Sequence, residues 1–112
     1  MKISFALKFQ NTQFKLAQME SNCTMLRVFV DRCIELHMKG QLSEVDAAMA
    51  KMNATDMMVD ALDEAVQFFG GNGYMWEYPI ARAYADSRYT RVAGGTAEIM
   101  KQIIAKDMMK RN

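Results

Sequence analysis

Glycine and proline, the residues that most often interrupt helices, are confined to a few places in this chain, and that distribution limits what it can fold into. Of the six glycines and one proline among its 112 residues, five glycines and the proline lie in 67–100. The stretch 9–36 contains neither residue type. The sequence therefore predicts long helices followed by a shorter segment with an irregular backbone.

Apolar residues recur with a seven-residue period in two consecutive stretches, as they do on one face of a long helix. The first stripe predicts a helix over 9–36, which Gly40 ends. Ser43, followed three residues later by Asp46, approximates a capping box for a second helix that runs until Gly70. Two antiparallel helices of roughly 40 Å can then face each other along their full length. The stripes are Phe9, Thr12, Leu16, Met19, Cys23, Leu26, Val30 and Cys33, and Val45, Ala48, Met52, Thr55, Val59, Leu62, Val66 and Phe69.

The remainder of the chain predicts two shorter helices. Pro79 suits the first turn of a helix through about Arg88, and Thr96 can cap a final helix that ends near Lys110. No segment shows the alternating pattern of a strand. We therefore predict an all-α fold in one domain, an up-and-down helical bundle with two long antiparallel helices, one short helix and one C-terminal helix.

Charge and composition exclude several classes of protein. The net charge is +1 with both signs interspersed, which provides no basic stripe for nucleic acid. The longest apolar run falls far short of the ~20 residues of a membrane span, and the single histidine predicts no metal site. Cys23 and Cys33 lie about 15 Å apart along one predicted helix, too far for a disulfide, which indicates a reducing, intracellular compartment.

Methionine is abundant, with twelve in the chain. A methionine-rich surface can mark a promiscuous groove. Most of these residues, however, fall on or beside the helical stripes, which favours core packing. We expect Met19, Met49, Met52 and Met108 to pack in the core.

Two glycine clusters each lie against a predicted helix end. The first, 70–73, fits either a turn that ends a helix or a close approach of the backbone to a ligand. The second, 94–96, precedes a helix whose first amides lack partners, so it fits either a plain turn with an N-cap or a site for an anion or electron-rich oxygen. The aromatic residues between the clusters fit a local hydrophobic cluster or the flanks of a flat ligand; they are Tyr74, Trp76, Tyr78 and Tyr84.

Three motifs in order, FQNTQFKLA, QFFGGNGYMWEYPIARAYADSR and GGTAEIMKQIIAKDM, resemble the C-terminal helical domain of the acyl-CoA dehydrogenases. These flavoenzymes introduce an α,β double bond into acyl-CoA thioesters. The resemblance runs from about Leu7 onward and is closest to the long-chain type. It implies an up-and-down helical bundle, in agreement with the two apolar stripes.

The resemblance also implies which residues contact FAD. The glutamine and glycines of the motif around 67–73 would approach the adenosine and pyrophosphate of an FAD held mainly by a neighbouring subunit, which implies a homo-oligomer, a dimer or tetramer. Gln10 would contact a neighbour's FAD as well, and the motif at 95–98 would contact FAD at the start of the last helix. The implied cofactor-binding residues are Gln10, Gln67, Gly70, Gly71, Gly73, Gly95, Thr96 and Glu98.

Gly94 departs from the pattern of many family members, which carry a catalytic glutamate at this place as the base that removes the α-proton. The long-chain and isovaleryl types have a small residue here and supply the glutamate from an earlier helix, which would lie upstream of Met1. No catalytic side chain is therefore predicted in this chain, although the backbone N–H of Gly94 is expected to bind the thioester carbonyl. Arg82 and Asp86 match a family pattern and are expected to form a structural i,i+4 ion pair.

By the same resemblance, the family's N-terminal helical domain, its β-domain and the first helix of this domain are missing from the chain. We expect the isolated chain to be inactive and to hold FAD weakly or not at all. The primary interpretation is the C-terminal part of an FAD-dependent acyl-CoA dehydrogenase that oxidises acyl-CoA to trans-2-enoyl-CoA, in the bacterial cytoplasm or the mitochondrial matrix. The alternative is a stand-alone helical self-association module that kept the fold and lost catalysis.

Overall fold

The computed structural model describes residues 9–111, and these residues form helices joined by turns, with no strand among them. Leu7, where the family resemblance begins, lies outside the described residues. The predicted all-α class is confirmed. The helices are α1 (Gln10–Met38), α2 (Glu44–Phe69), α3 (Pro79–Arg88) and α4 (Ala97–Arg111), with 3-10 turns at Gly70–Tyr74 and Tyr89–Arg91.

The connection between α1 and α2 is a tight helical hairpin, as predicted. The N–H of Gly40 donates to the carbonyl of His37 at 3.0 Å, which closes the end of α1. Ser43 then caps α2, because its hydroxyl accepts a hydrogen bond from the Asp46 N–H at 3.0 Å. His37 lies in the last turn of α1, where a cationic side chain would be favoured by the helix dipole.

The two long helices run antiparallel, and α2 is the central element of the molecule. Lys15 Nζ lies 3.1 Å from Glu64 Oε2, which joins the start of α1 to the end of α2. At the opposite end, Phe29 and Met49 line a common cavity of about 200 Å³ between the two helices. The other faces of α2 pack against α3 and α4. Through these contacts α2 positions both glycine clusters.

The two helices differ in how well their apolar residues are covered. Every residue of the α2 stripe is at least half-buried, and Ala48 and Val59 are buried. Most of the α1 stripe is half-buried too, but α1 carries further apolar residues outside its stripe, of which Phe14, Met25 and Val28 are 64%, 58% and 66% exposed. Their spacing of eleven and three residues places them on one side of the helix. We call these three residues the open face of α1.

The methionine prediction is confirmed in part. Met19, Met49 and Met52 are half-buried among the helices, whereas Met108 is 51% exposed. On α4 it is Ile103 and Asp107 that line the cavity shared with α2. Met108 follows Asp107 by one residue, or about 100° around the helix, so it points away from α2. The core prediction for Met108 is therefore wrong.

Candidate functional site

The loop between the second 3-10 turn and α4, residues 94–96, has a backbone that only glycine adopts easily. Gly94 has a φ of +72° and Gly95 a φ of +120°, both in the region that L side chains disfavour. A Cβ on Gly95 would also lie 2.7 Å from Met100 Cε, closer than packed atoms allow. The loop therefore requires glycine at 95 for its backbone conformation, whereas the flexible end of Met100 could move aside.

Thr96 starts α4 as the sequence predicted. Its hydroxyl oxygen accepts a hydrogen bond from the Ile99 N–H at 3.3 Å, and its carbonyl accepts one from the Met100 N–H at 3.0 Å. This is the bonding of an N-cap residue. The cap thus satisfies the N–H of Ile99 in the first turn, and the N–H groups of Ala97 and Glu98 before it are left without a bond from the cap.

Five consecutive N–H groups, from Gly94 to Glu98, donate to no acceptor in the part of the chain that the structure describes. The last two begin α4, where the helix dipole adds partial positive charge. Gly94 and Glu98 are exposed to solvent, and the residues between them are half-buried. This array can donate hydrogen bonds to an anion or to an oxygen on which negative charge develops.

Two charged side chains of α2 hold this loop and the turn before it. Lys51 Nζ donates a hydrogen bond to the Gly95 carbonyl, and Arg91 Nε lies 2.9 Å from Asp56 Oδ1. Both contacts are part-buried and join residues that are 44 and 35 positions apart. Sequence reasoning missed them, because a lysine and an aspartate beside an apolar stripe look like solvated helix positions until the partner is known.

The first glycine cluster ends α2. The Gly70 N–H donates to the Gln67 carbonyl, and a Cβ on Gly73 would overlap the Val66 carbonyl oxygen. Gly73 is buried, so the turn lies directly against the last turn of the helix. The helix-ending interpretation of this cluster is confirmed. At Gly71, by contrast, a Cβ would meet no atom within 4 Å, and the residue is exposed.

Gln10 lies at the same end of the molecule as the first cluster. It begins α1, five residues before Lys15, whose ammonium group pairs with Glu64 near the end of α2. Gln67, exposed like Gln10, follows Glu64 by three residues. Lys51, which contacts the second cluster, precedes Gln67 on α2 by 16 residues, or about 24 Å along the helix axis. The implied site residues therefore fall into two groups in different parts of the molecule.

The aromatic residues between the clusters do not form a single cluster. The rings of Phe69 and Tyr78 meet edge to face with centroids 6.3 Å apart. Tyr74 and Trp76, however, are 92% and 63% exposed. Tyr78 thus packs on the end of α2, whereas Tyr74 and Trp76 are exposed to solvent beside the first cluster.

The expected ion pair between Arg82 and Asp86 is absent among the described residues, and both side chains are exposed. The prediction was wrong, because an exposed pair at this spacing gains little from contact. The order of the charges does not decide the outcome, since Arg32 precedes Glu35 on α1 and pairs with it at 3.1 Å.

Residues 9–111 contain no group of three or more histidine, cysteine, aspartate or glutamate side chains that could hold a metal ion. None of the helices in that range is long and apolar enough to cross a bilayer. Both cysteines are free, with Cys23 exposed and Cys33 buried.

Comparison with known proteins gives a consistent result. Residues 4–109 match the family model of the acyl-CoA dehydrogenase C-terminal domain. Over 100 residues the chain is 45% identical to the mitochondrial long-chain specific acyl-CoA dehydrogenase of Rattus norvegicus, a match that covers 89% of this chain and 23% of the rat protein. The family resemblance predicted from the three motifs, with its likeness to the long-chain type, is confirmed.

Solved structures share the fold. The acyl-CoA dehydrogenase of Geobacillus kaustophilus superposes with a TM-score of 0.87 and 45% identity, over 89% of this chain and 26% of that one. The FAD complex of PigA superposes with a TM-score of 0.84 and 28% identity, over 94% of this chain and 27% of that one. The chain therefore spans about a quarter of the length of the relatives that it matches.

Proposed function

Because the chain belongs to the acyl-CoA dehydrogenase family, we propose that it serves as the C-terminal part of an FAD-dependent enzyme that oxidises acyl-CoA to trans-2-enoyl-CoA. The observation that carries this proposal is the array of free N–H groups from Gly94 to Glu98 at the start of α4. Removal of an α-proton from a thioester places negative charge on its carbonyl oxygen. Fixed N–H donors lower the energy of that charge and so acidify the proton.

In this proposal the N–H of Gly94 donates to the thioester carbonyl. Gly94 is exposed, and the space where its Cβ would lie is open except for Lys51 Cε at 3.9 Å. A substrate can therefore approach the backbone closely at this residue. The role needs no side chain at 94, in agreement with the glycine found there.

The general base is supplied by a carboxylate outside the described residues. A glutamate at 94 would have to adopt the φ of +72°, which costs about 1–2 kcal/mol for a residue with a side chain. No carboxylate in the described part of the chain is hydrogen-bonded to the loop 94–96. We accordingly expect the isolated chain to be inactive.

The residues present fit FAD as a cofactor at two places. At the start of α4, Gly95, Thr96 and Glu98 would contribute N–H groups, which suit the electron-rich oxygens of a flavin ring. At the end of α2, the open backbone at Gly71 and the exposed amide side chain of Gln67 suit a phosphate or adenosine group. When bound, FAD would accept a hydride from the substrate.

The residues at the end of α2 and those at the start of α4 lie far apart. This distance supports contacts with different FAD molecules or with different parts of one FAD in an oligomer. Gln10 joins Gln67 and Gly71 at one end, and we propose that this end reaches an FAD held by a neighbouring subunit. Gly70 and Gly73 would act there by shaping the turn, since their backbones close onto α2. The open face of α1 is an exposed apolar surface, which indicates that another protein surface covers it. That surface would belong to another subunit of a homo-oligomer or to a portion of the protein outside this chain.

The alternative, a stand-alone self-association module, has weaker support, because the 45% identity to the rat enzyme covers 89% of the chain, both glycine clusters included. We also propose the intracellular setting of its relatives. The rat relative is mitochondrial, and the two free thiols fit a reducing compartment.

A chimera tests the proposed function. The aligned C-terminal segment of the G. kaustophilus acyl-CoA dehydrogenase is replaced by this chain, and flavin absorbance and acyl-CoA-dependent dye reduction are measured. We expect near-stoichiometric FAD and dehydrogenase activity in the chimera, and neither in the isolated 112-residue chain. A helical, oligomeric chimera without flavin would contradict the proposal, and circular dichroism with light scattering establishes whether it has folded.

A further inference from the structure

Lys51 is a charged side chain that the proposed function leaves without a role. It lies near the start of α2, is part-buried, and donates from Nζ to the carbonyl of Gly95 across 44 residues of sequence. Its Cε lies 3.9 Å from the position of a Cβ on Gly94. Among the described residues no carboxylate forms an ion pair with it. The ammonium group is thus committed to a backbone oxygen in the loop.

The carbonyl that Lys51 binds belongs to the same peptide unit as the Thr96 N–H, which is one of the free donors. A cation at the oxygen of a peptide group draws electron density away from its N–H, and hydrogen bonds in series strengthen one another. The contact therefore both fixes the plane of the Gly95–Thr96 peptide and strengthens its N–H as a donor.

The loop needs such a contact because two successive glycines have more backbone freedom than any other pair of residues. On the far side of Gly95, the Thr96 cap fixes the chain to α4. On the near side, the pair between Arg91 and Asp56 fixes the 3-10 turn to α2. Lys51 contacts the glycine pair directly, at the carbonyl of Gly95.

We propose that Lys51 is a positioning residue, which holds the Gly95–Thr96 peptide so that the Thr96 N–H points and donates as the ligand requires. The inference rests on the proposed function for the meaning of that donor. The contact itself can be tested without any ligand.

The test uses the isotope-labelled 112-residue chain and four variants in solution NMR. Lys51→Met keeps the apolar stem and removes the charge, and Lys51→Arg restores a cationic donor. Lys101→Met removes an exposed lysine that forms no ion pair within residues 9–111, and Asp56→Asn loosens the neighbouring turn without touching the Gly95 carbonyl. We expect Lys51→Met to shift the Gly95 carbonyl carbon and the Thr96 amide proton upfield.

The controls separate positioning from general loosening. Lys51→Arg should return both resonances toward their wild-type positions, and Lys101→Met should leave them unchanged. The inference is overturned if Lys51→Met leaves both resonances in place, or if Asp56→Asn shifts them equally. If Lys51→Met does not fold, the contact is tested in the wild-type chain. A nuclear Overhauser effect between the Lys51 ε-protons and the Gly94 α-protons is then expected, and its absence would overturn the inference.

A titration with FAD, and separately with octanoyl-CoA, distinguishes this inference from the proposed function. If either probe perturbs the amides of 94–98 in the wild-type chain, we expect its dissociation constant to weaken roughly tenfold in Lys51→Met, the usual effect of losing a charge-assisted contact. An equal constant in both proteins would overturn the positioning role. If neither probe perturbs these amides, the chimera decides for or against the proposed function, and the ligand-free spectra decide for or against Lys51.

Discussion

The turn at 70–73 and the loop at 94–96 are both glycine clusters at a helix end, yet they use glycine in opposite ways. At the first, Gly73 lies against the Val66 carbonyl, and the Gly70 N–H is bonded to α2. At the second, the N–H groups from Gly94 onward have no acceptor in the described residues, and a lysine from another helix holds the carbonyl of Gly95. The backbone of the turn at 70–73 is bonded to and packed against its own helix, and the backbone of the loop at 94–96 keeps N–H groups that can donate to a ligand.

The difference shows that the type of residue at a helix end does not distinguish a structural turn from a binding loop. What separates them is whether the polar backbone groups already have partners. The first cluster completes a helix, and its remaining open positions, such as Gly71, are exposed to a neighbour. The second combines fixed geometry with free donors, the combination that stabilises developing negative charge.

The largest effect should come from Gly73→Ala, which tests the closed turn. Its Cβ would overlap the Val66 carbonyl oxygen, a backbone atom that cannot rotate away. We expect the free energy of unfolding to fall by about 3 kcal/mol, the upper end of the usual cost of overpacking. Urea denaturation followed by circular dichroism measures it. Gly71→Ala is the matched control, because its Cβ would meet open space, and it should change stability by less than about 1 kcal/mol.

A smaller effect is expected from Gly95→Ala, which tests the open loop. The φ of +120° is accessible only to glycine, but the Met100 side chain that a Cβ would meet is flexible. We expect a loss of about 2 kcal/mol. Gly94→Ala, with a φ of +72° and more space, should cost about 1 kcal/mol in the same thermal or urea unfolding experiment. Equal stability of both variants and the wild type would show that the loop is not held in this conformation.

The sequence was sufficient for most of the fold and for only part of the site. The heptad stripes and the positions of Gly40, Ser43 and Pro79 indicated the helices and their ends, because these features act over a few residues. Thr96 was found for the same reason. The contact from Lys51 to Gly95 joins residues 44 positions apart, and no local pattern reports it.

Two local predictions failed for reasons that can be stated. The pair expected between Arg82 and Asp86 matches a spacing, but both side chains are exposed, and an exposed pair gains little from contact. Met108 lies near an apolar stripe, but α4 turns its other side toward α2. In both cases the spacing was right and the direction of the side chain was not.

The smallest effect concerns the second contact that holds the open loop. Asp56→Asn removes the negative charge that pairs with Arg91 and leaves an oxygen acceptor, in a pair whose side chains are 33% and 32% exposed. We expect a loss of about 0.5–1 kcal/mol that diminishes in high salt. Asp107→Asn breaks the more exposed pair within α4 and should cost no more than about 0.5 kcal/mol. A loss from Asp56→Asn that does not exceed that of Asp107→Asn would mean that the pair does little to hold the loop.

The most direct test of the central claim is a map of amide shifts in the wild-type 112-residue chain titrated with octanoyl-CoA and with FAD. Both ligands are added to concentrations at which even a weak complex forms, because the isolated chain is expected to hold FAD weakly or not at all. The free donors from Gly94 to Glu98 should then show the largest perturbations with octanoyl-CoA, and any perturbation by FAD should fall on these amides and on Gln67 and Gly71. Saturating shifts elsewhere, with the amides of 94–98 unmoved by either compound, would contradict the assignment of this loop as the binding site.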